Sequence, residues 1–227
     1  MLEELLPAAV AVAEAFGDVP EAALFPAEAA AIAGASDRRR REFASARSCA
    51  HTALRRLGLP AAPIVPGPRR EPLWPDGVTG SLTHCAGYRA AAVARAADVL
   101  ALGIDAEPHA DLPAGVLAAV AGPDERAALA ALAADSPGRC WDRLLFCAKE
   151  AVYKTWYPLT GRWLGFADAA VTIGQADGTF TARLLVPGPD LDGTPLTGFS
   201  GRWLIRDGLI LAAIAIPAPA TADRPAG

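Results

Sequence analysis

The order of the secondary-structure signals repeats along the chain, because helical segments are followed by closely spaced strands in both halves. Helices are predicted at 26–33, 36–57, 113–120 and 123–134, and from Ser136 to a residue before Pro158. Strands are predicted at 78–83, 89–96, 99–107, 169–173, 179–186, 200–206 and 209–216. Asp207-Gly208, between the last two strands, is a strong signal for a two-residue antiparallel hairpin. The pattern therefore predicts an α+β protein made of two similar halves.

The length of the chain, 227 residues, corresponds to one or two domains, and its apolar content of 52% is enough for a sizeable core. We expect an N-terminal half over 1–102 and a C-terminal half over 103–217. The last residues, 218–227, are rich in proline and alanine, and we expect them to form a disordered tail.

Composition excludes several classes of protein. The net charge of −4 argues against nucleic-acid binding by bulk electrostatics, so an anionic ligand needs a local basic cluster. The four cysteines form no Cys-x-x-Cys pair, which argues against a disulfide scaffold and a zinc site. Glu3 and Glu4 are unlike a basic leader, and the apolar string from Leu209 to Ile216 is shorter than the ~20 residues of a membrane span. We therefore expect a cytoplasmic protein without a membrane partner.

Two carboxylates stand at the end of a predicted strand. Asp105 and Glu107 alternate along it and therefore share a face. Two carboxylates held together repel each other, and a hard divalent cation such as magnesium relieves that repulsion. The alternative is a solvated acidic turn before Pro108.

A second charged pair lies on the last predicted helix. Glu150 and Lys154 are four residues apart, so they share a face of that helix. An ordinary surface ion pair is the alternative, but the flanking positions are mostly apolar and indicate a buried helix. Buried charges need partners or a metal ion, which favours a functional site here.

Basic residues form a third group. Arginines crowd the second predicted helix, where Arg39 and Arg47 are about two turns apart and share a face, and Arg69 and Arg70 follow in a loop. The guanidinium fork suits phosphate, although a solvated helix face is the alternative for any single arginine. Two further phosphate donors are candidates at the end of a strand, Thr83 and His84.

Four ordered motifs give the sequence a resemblance to a known family. They are Arg-Arg-Glu-Phe-x-x-x-Arg47-x-Cys-Ala, Trp74-Pro-Asp-Gly-x-x-Gly-Ser-Leu-Thr-His84-Cys, Gly103-Ile-Asp-Ala-Glu-Pro108 and Trp141-Asp-Arg-Leu-Leu-Phe-Cys-Ala-Lys-Glu150-Ala-x-Tyr-Lys154. Together they resemble the 4′-phosphopantetheinyl transferases, especially the larger, monomeric actinobacterial type that activates peptide and polyketide synthases. The resemblance extends from about Phe25 to Pro217.

The resemblance implies a pseudodimeric α+β fold with coenzyme A in the cleft between the halves. It implies that Asp105, Glu107 and Glu150 surround magnesium, with manganese as the alternative, on the pyrophosphate of coenzyme A. The other implied contacts to coenzyme A come from Arg39, Arg47, the basic loop, Thr83, His84, Lys149 and Lys154. Many relatives have Gly-Lys-Pro in the loop where this chain has Arg69-Arg70-Glu71-Pro72, so either arginine could replace the lysine.

The implied reaction moves the phosphopantetheine arm of coenzyme A to a serine of an apo acyl or peptidyl carrier protein, a small acidic helical partner. Glu150 is the predicted general base, and Lys154 is predicted to stabilise the leaving 3′,5′-ADP. Two other functions stay open on the residues alone: a coenzyme A or nucleotide sensor, and a metal-dependent hydrolase that cleaves the diphosphate.

Overall fold

The structure, a computed structural model, describes residues 1–20, 22–191 and 193–219. Five α-helices are present in these residues: α1 Pro26–Ala31, α2 Asp37–Arg56, α3 Val116–Val120, α4 Pro123–Asp135 and α5 Trp141–Thr160. The strands are β1 Ala11–Phe16, β2 Val78–Cys85, β3 Tyr88–Arg95, β4 Val99–Pro108, β5 Ala169–Gly174, β6 Thr179–Leu184, β7 Asp190–Leu191, β8 Thr194–Pro195, β9 Gly198–Arg206 and β10 Leu209–Pro217. The predicted α+β class is confirmed.

The strands form two main antiparallel sheets. Three strands pair in the order β1-β3-β2, five pair in the order β4-β10-β9-β6-β5, and β7 and β8 form a small ribbon. Helix α2 packs on β1 and β3, whereas α5 packs on β4 and β10. The predicted hairpin between β9 and β10 is confirmed, because Asp207 and Gly208 both have the positive φ of a primed turn.

The edges of the two sheets meet at β2 and β4, which lie side by side without belonging to one sheet. Two hydroxyl groups of β2 accept hydrogen bonds from β4 amides instead. Ser81 Oγ accepts from Ile104 N at 3.1 Å, and Thr83 Oγ1 accepts from Ala106 N at 3.0 Å. The seam between the sheets therefore depends on side chains at alternate positions of β2.

Local signals placed most of the helix boundaries correctly. The Ser36 hydroxyl accepts from Arg39 N at the start of α2, and that helix ends just before Gly58, which has φ +72°. Both ends of α5 were predicted wrongly. Ser136 caps the end of α4, because its amide donates to Leu132 O, and Cys140 is the residue that precedes α5.

Pro158 lies inside α5, although the sequence predicts an end before it. A proline removes one backbone donor, but only the last turn of α5 follows Pro158. The Thr160 hydroxyl donates to Trp156 O at 3.0 Å, and Gly161 ends the helix with φ +63°. These contacts hold the last turn. Strand β1 was not predicted at all, because its alanine-rich sequence has little strand propensity and tertiary pairing with β3 decides its conformation.

Helix α5 approaches β4 closely at Gly103. A Cβ atom at this position would overlap the carbonyl oxygen of Ala151 and the hydroxyl of Thr155. Glycine therefore permits a backbone contact between the strand that carries Asp105 and the helix that carries Glu150.

The predicted boundary at 102/103 falls inside β4, which pairs with β10 on both sides of that boundary, and the division into halves stays a prediction. Of the predicted tail, 220–227 lie outside the described residues, and the Ala218 amide donates to Asp98 O at 3.0 Å. In the described part of the chain, every helix is too short or too polar to cross a bilayer.

Candidate functional site

The Asp105 carboxylate is the buried centre of the candidate site, near the end of β4. Its Oδ1 atom accepts hydrogen bonds from Lys154 Nζ at 2.7 Å and from Thr83 Oγ1 at 3.1 Å. Its Oδ2 atom is also buried and has no partner at hydrogen-bonding geometry among the described residues. The Cys147 thiol, whose pKa is raised by burial and by Asp105, is a weak donor close to this carboxylate but points to Ile210 O at 3.7 Å. A buried carboxylate oxygen without a donor is costly, so this atom is suited to a cation.

Glu107 lies two residues further along the same strand face, as the alternation predicts. Arg143 Nη1 of α5 donates to its Oε2 at 2.9 Å. Burial raises the pKa of Glu107, and the Asp105 charge raises it further, although Arg143 opposes both effects. The carboxylate is therefore only partly compensated in the protein alone.

Glu150 and Lys154 reach the same place from α5. Burial raises the pKa of Glu150, and the charges of Asp105 and Glu107 add to that increase. Burial works to lower the pKa of Lys154, but Asp105 and Glu150 outweigh it and raise the pKa above its ordinary value. Lys154 therefore stays charged among three carboxylates that repel one another.

The donor set suits a magnesium ion that is shared with a substrate. No group of three or more His, Cys, Asp or Glu side chains in the described ranges is arranged to hold a metal ion. Magnesium, however, usually takes one or two protein carboxylates and completes its shell with waters and substrate phosphates. The unpaired Asp105 oxygen and the raised pKa values of Glu107 and Glu150 fit such a partial site.

Cationic groups continue outward from Lys154. Arg39 Nη1 lies 3.1 Å from His84 Nε2. Burial lowers the pKa of His84, and the nearby charges of Arg39 and Lys154 lower it further. Glu42 Oε2 lies 3.8 Å from Arg39 Nη1 and 4.0 Å from His84 Nε2. The row of Arg39, His84 and Lys154 therefore carries its positive charge on Arg39 and Lys154, and Glu42 partly balances that charge.

The other predicted phosphate ligands differ in their surroundings. Arg47 is buried over the Phe43 ring, its Nε donates to Ile64 O at 2.6 Å, and burial lowers its pKa to about 10. Arg69 and Arg70 are exposed in the loop before β2, with Arg69 5.9 Å from the centre of the Trp163 ring.

Two predicted phosphate ligands are turned away from the row. Thr83 is buried on the face of β2 opposite to His84, and its hydroxyl donates to Asp105. Lys149 is buried too, and its ammonium group donates to Val120 O, Glu125 Oε2 and Phe166 O at 2.8–2.9 Å. Lys149 and Lys154 are about 140° apart around a helix, and Lys149 also lines the apolar cavity that opens beside Glu150. The phosphate contacts of Thr83 and Lys149 therefore stay predictions, and both polar groups already have hydrogen-bond partners within the protein.

Arg143 is a site residue that the sequence analysis missed. It holds Glu107 and also donates to Ala110 O and Asp111 O. Its spacing to Glu150 is seven residues, two turns of α5, so helical periodicity could have placed both on one face.

An apolar cavity of about 250 Å³ opens beside Glu150. Its walls include Tyr153, Trp163, Leu164 and Phe166. The Tyr153 and Trp163 rings are 5.1 Å apart, and Trp163 is 64% exposed, so these aromatic groups stand where the cavity meets solvent. The site therefore combines carboxylates, a row of cations and a narrow apolar recess.

Comparison with protein families finds two adjoining matches. Residues 27–94 match the 4′-phosphopantetheinyl transferase N-terminal domain, and residues 101–194 match the 4′-phosphopantetheinyl transferase superfamily. The two matches together include every predicted site residue.

Curated relatives match along nearly the whole chain. The 4′-phosphopantetheinyl transferase Svp of Streptomyces mobaraensis is 56% identical over 97% of this chain and 91% of its own length. The 4′-phosphopantetheinyl transferase Npt of Nocardia iowensis is 54% identical over 95% of this chain and 99% of its own length. The 4′-phosphopantetheinyl transferase PptT of Mycobacterium tuberculosis is 49% identical over 95% of this chain and 98% of its own length.

Proposed function

The chain belongs to the 4′-phosphopantetheinyl transferase superfamily, and we propose that the carboxylates and cations described above are its catalytic centre. The enzyme transfers the 4′-phosphopantetheine group of coenzyme A to a serine of an apo acyl or peptidyl carrier protein, and 3′,5′-ADP is released. The assignment of individual residues to this reaction rests on the site geometry.

The nucleotide end of coenzyme A occupies the cationic row in this proposal. Arg39 and His84 receive the 3′-phosphate: Arg39 donates to His84 Nε2, and the guanidinium has further N–H groups that can donate to an anion. Arg47 contributes charge from its buried position, and Arg69 or Arg70 closes over the nucleotide from the loop.

The diphosphate lies at the carboxylates. Asp105, with Glu107 and Glu150 beside it, would hold magnesium, or manganese, which has the same preference for hard oxygen ligands, and waters and the diphosphate would complete the coordination. When bound, the ion supplies charge neutralisation for the diphosphate. Lys154 donates to the phosphate that becomes the leaving group, since its pKa keeps it protonated.

Glu150 accepts the proton of the carrier serine, directly or through a water. Its raised pKa makes it a stronger base than an ordinary glutamate, and the charge of Lys154 opposes part of that increase. The serine oxygen forms a bond to the phosphorus that carries pantetheine, and the bond from that phosphorus to the bridging oxygen of 3′,5′-ADP breaks. Positioning and charge provide most of the catalysis.

The apolar cavity beside Glu150 takes the pantetheine arm. It begins next to the proposed base, and its apolar walls suit a flexible, uncharged chain. In this proposal the protein is a monomer in the cytoplasm, and its partners are small acidic helical carrier proteins.

The unpaired, buried Oδ2 atom of Asp105 is the observation that carries the metal assignment. The test incubates the protein with coenzyme A, an apo carrier protein and either Mg²⁺ or EDTA, and weighs the carrier by mass spectrometry. A carrier that gains the phosphopantetheine mass only with Mg²⁺, and not with Asp105→Asn, is the expected result. Transfer in EDTA, or by Asp105→Asn at the wild-type rate, contradicts it.

The same experiment separates the alternatives. Cleaved coenzyme A beside an unmodified carrier indicates a hydrolase. Intact coenzyme A that is bound but never consumed indicates a sensor.

A further inference from the structure

Ser81 and Thr83 perform the same task at the seam between the sheets, but only one of them touches the catalytic centre. Each hydroxyl accepts one β4 amide, Ile104 N for Ser81 and Ala106 N for Thr83. The Thr83 hydroxyl also donates its proton to Asp105 Oδ1 at 3.1 Å. No carboxylate lies among the described hydrogen-bond partners of Ser81.

The Thr83 contact gives the two oxygens of Asp105 different environments. Oδ1 receives both Thr83 Oγ1 and Lys154 Nζ, whereas the buried Oδ2 has no donor from the described residues. The torsion that rotates a carboxylate is soft and roughly two-fold. A half-turn only exchanges two equivalent oxygens, so the Thr83 contact matters because it opposes rotation of the carboxylate to the angles in between, where neither oxygen would face the cation directly.

Thr83 cannot easily turn away, because its hydroxyl is held from both sides. It is 2% exposed, and rotation of its side chain would break the bonds to Ala106 N and Asp105 together. A hydroxyl that accepts a main-chain amide can direct its single proton to only one acceptor. That acceptor is Asp105 Oδ1.

We propose that Thr83 is a positioning residue that holds the Asp105 carboxylate so that Oδ2 faces the metal and the coenzyme A diphosphate. The inference rests on the proposed role of Asp105. Thr83 itself contacts neither ligand, so it acts only through Asp105.

The test measures coenzyme A binding without a carrier protein, so that no turnover occurs. The dissociation constant is determined by calorimetry in Mg²⁺ and in EDTA, for the wild type and Thr83→Val. Partners of metal ligands typically contribute about 10–100-fold to metal affinity or activity. In EDTA, we expect Thr83→Val and the wild type to bind coenzyme A with the same affinity. In Mg²⁺, we expect Thr83→Val to bind about tenfold more weakly than the wild type.

Ser81→Ala is the matched control. Both variants leave one β4 amide without its acceptor, so both lower the melting temperature, but only Thr83→Val changes the metal-dependent affinity. Thr83→Ser keeps the hydroxyl and restores the wild-type value. If Thr83→Val does not fold, Thr83→Cys provides a weaker donor and an intermediate loss.

Two outcomes overturn the inference in different ways. If Thr83→Val and Ser81→Ala bind coenzyme A with equal affinity in both solutions, Thr83 only joins the two sheets and does not position Asp105. If Asp105→Asn keeps the full affinity gain from Mg²⁺, the metal assignment fails, and the role of Thr83 fails with it.

Discussion

Helix α5 carries two lysines in ion pairs, one buried and one partly buried, and the two pairs differ in how completely they are satisfied. Lys149 donates to Glu125 Oε2 at 2.9 Å and to two carbonyl oxygens, and Glu125 also accepts from Gly122 N and Val171 N. Lys154 donates to Asp105 Oδ1 at 2.7 Å, but the other oxygen of that carboxylate has no donor in the described residues.

The difference separates a structural ion pair from a functional one. The Lys149 pair ties α5 to the end of α3, to the start of α4 and to β5, so it is complete within the protein. The Lys154 pair lies beside two further carboxylates with raised pKa values, and in the proposed function a cation and a phosphate complete it. Replacements in the first pair should affect folding, and replacements in the second should affect catalysis.

The largest effect is expected for Glu150→Gln. Loss of a general base typically lowers a rate by about 10²–10⁴-fold, and the amide keeps the shape of the side chain. The transfer rate is measured by mass spectrometry of the carrier at saturating coenzyme A. A rate within a few-fold of the wild type would show that another group takes the proton.

Lys149→Met should break the complete pair and lower the free energy of unfolding by about 3–5 kcal/mol, because Glu125 is left buried without its cation. Urea unfolding measures this loss. The coenzyme A affinity of the folded fraction should stay close to that of the wild type. A tenfold weaker affinity would instead mean that Lys149 contacts the ligand.

Arg39→Ala should weaken coenzyme A binding by about tenfold, since a hydrogen bond between charged groups contributes about 1.5–3 kcal/mol. The neighbouring Arg38→Ala is the control, because Arg38 is more exposed and pairs with the same residue, Glu42. Dephospho-coenzyme A, which lacks the 3′-phosphate, should bind both variants and the wild type equally. If Arg39→Ala loses the same affinity for coenzyme A and for dephospho-coenzyme A, Arg39 does not bind the 3′-phosphate.

The smallest effect concerns stability in EDTA. Because the folded protein raises the pKa of Glu150 through burial and through Asp105, ionised Glu150 costs stability at neutral pH, and protonation relieves the cost. Glu150→Gln should therefore raise the melting temperature at pH 7, and the gain should fade as the pH falls through the raised pKa of Glu150. Glu125→Gln should lower the melting temperature at pH 7. A lower value for Glu150→Gln would mean that its carboxylate stabilises the metal-free fold.

The sequence predicted those parts of the fold that depend on local chemistry. Ser36 and Gly58 set the ends of α2, and Asp207-Gly208 set the last hairpin. The start of α5 and strand β1 depend on distant partners, such as the pairing of β1 with β3, and no local pattern reveals them. Pro158 shows that an unfavourable residue is accepted where only one turn of helix remains.

For the site, residue type and spacing predicted which groups lie together, but not how each one is used. Asp105 and Lys154 meet as expected, yet Thr83 and His84, adjacent on β2, face opposite sides of their strand. Lys149 shows the same limit on a helix, where one residue of displacement from Glu150 turns it about 100° away. The face on which each side chain lies follows from its position in the strand or helix repeat. The partners that each side chain contacts could be found only from the tertiary structure.

The close contact at Gly103 also limits which segments can be exchanged between related chains to build chimeras. The strand with Asp105 and the helix with Glu150 come from distant parts of the sequence, and a missing side chain sets the gap between them. An alanine at 103 would push the helix outward and separate the catalytic groups, although every catalytic side chain would still be present in the sequence. In chimeras built from related chains, we therefore expect exchange of α5 to succeed only where the receiving strand keeps this glycine.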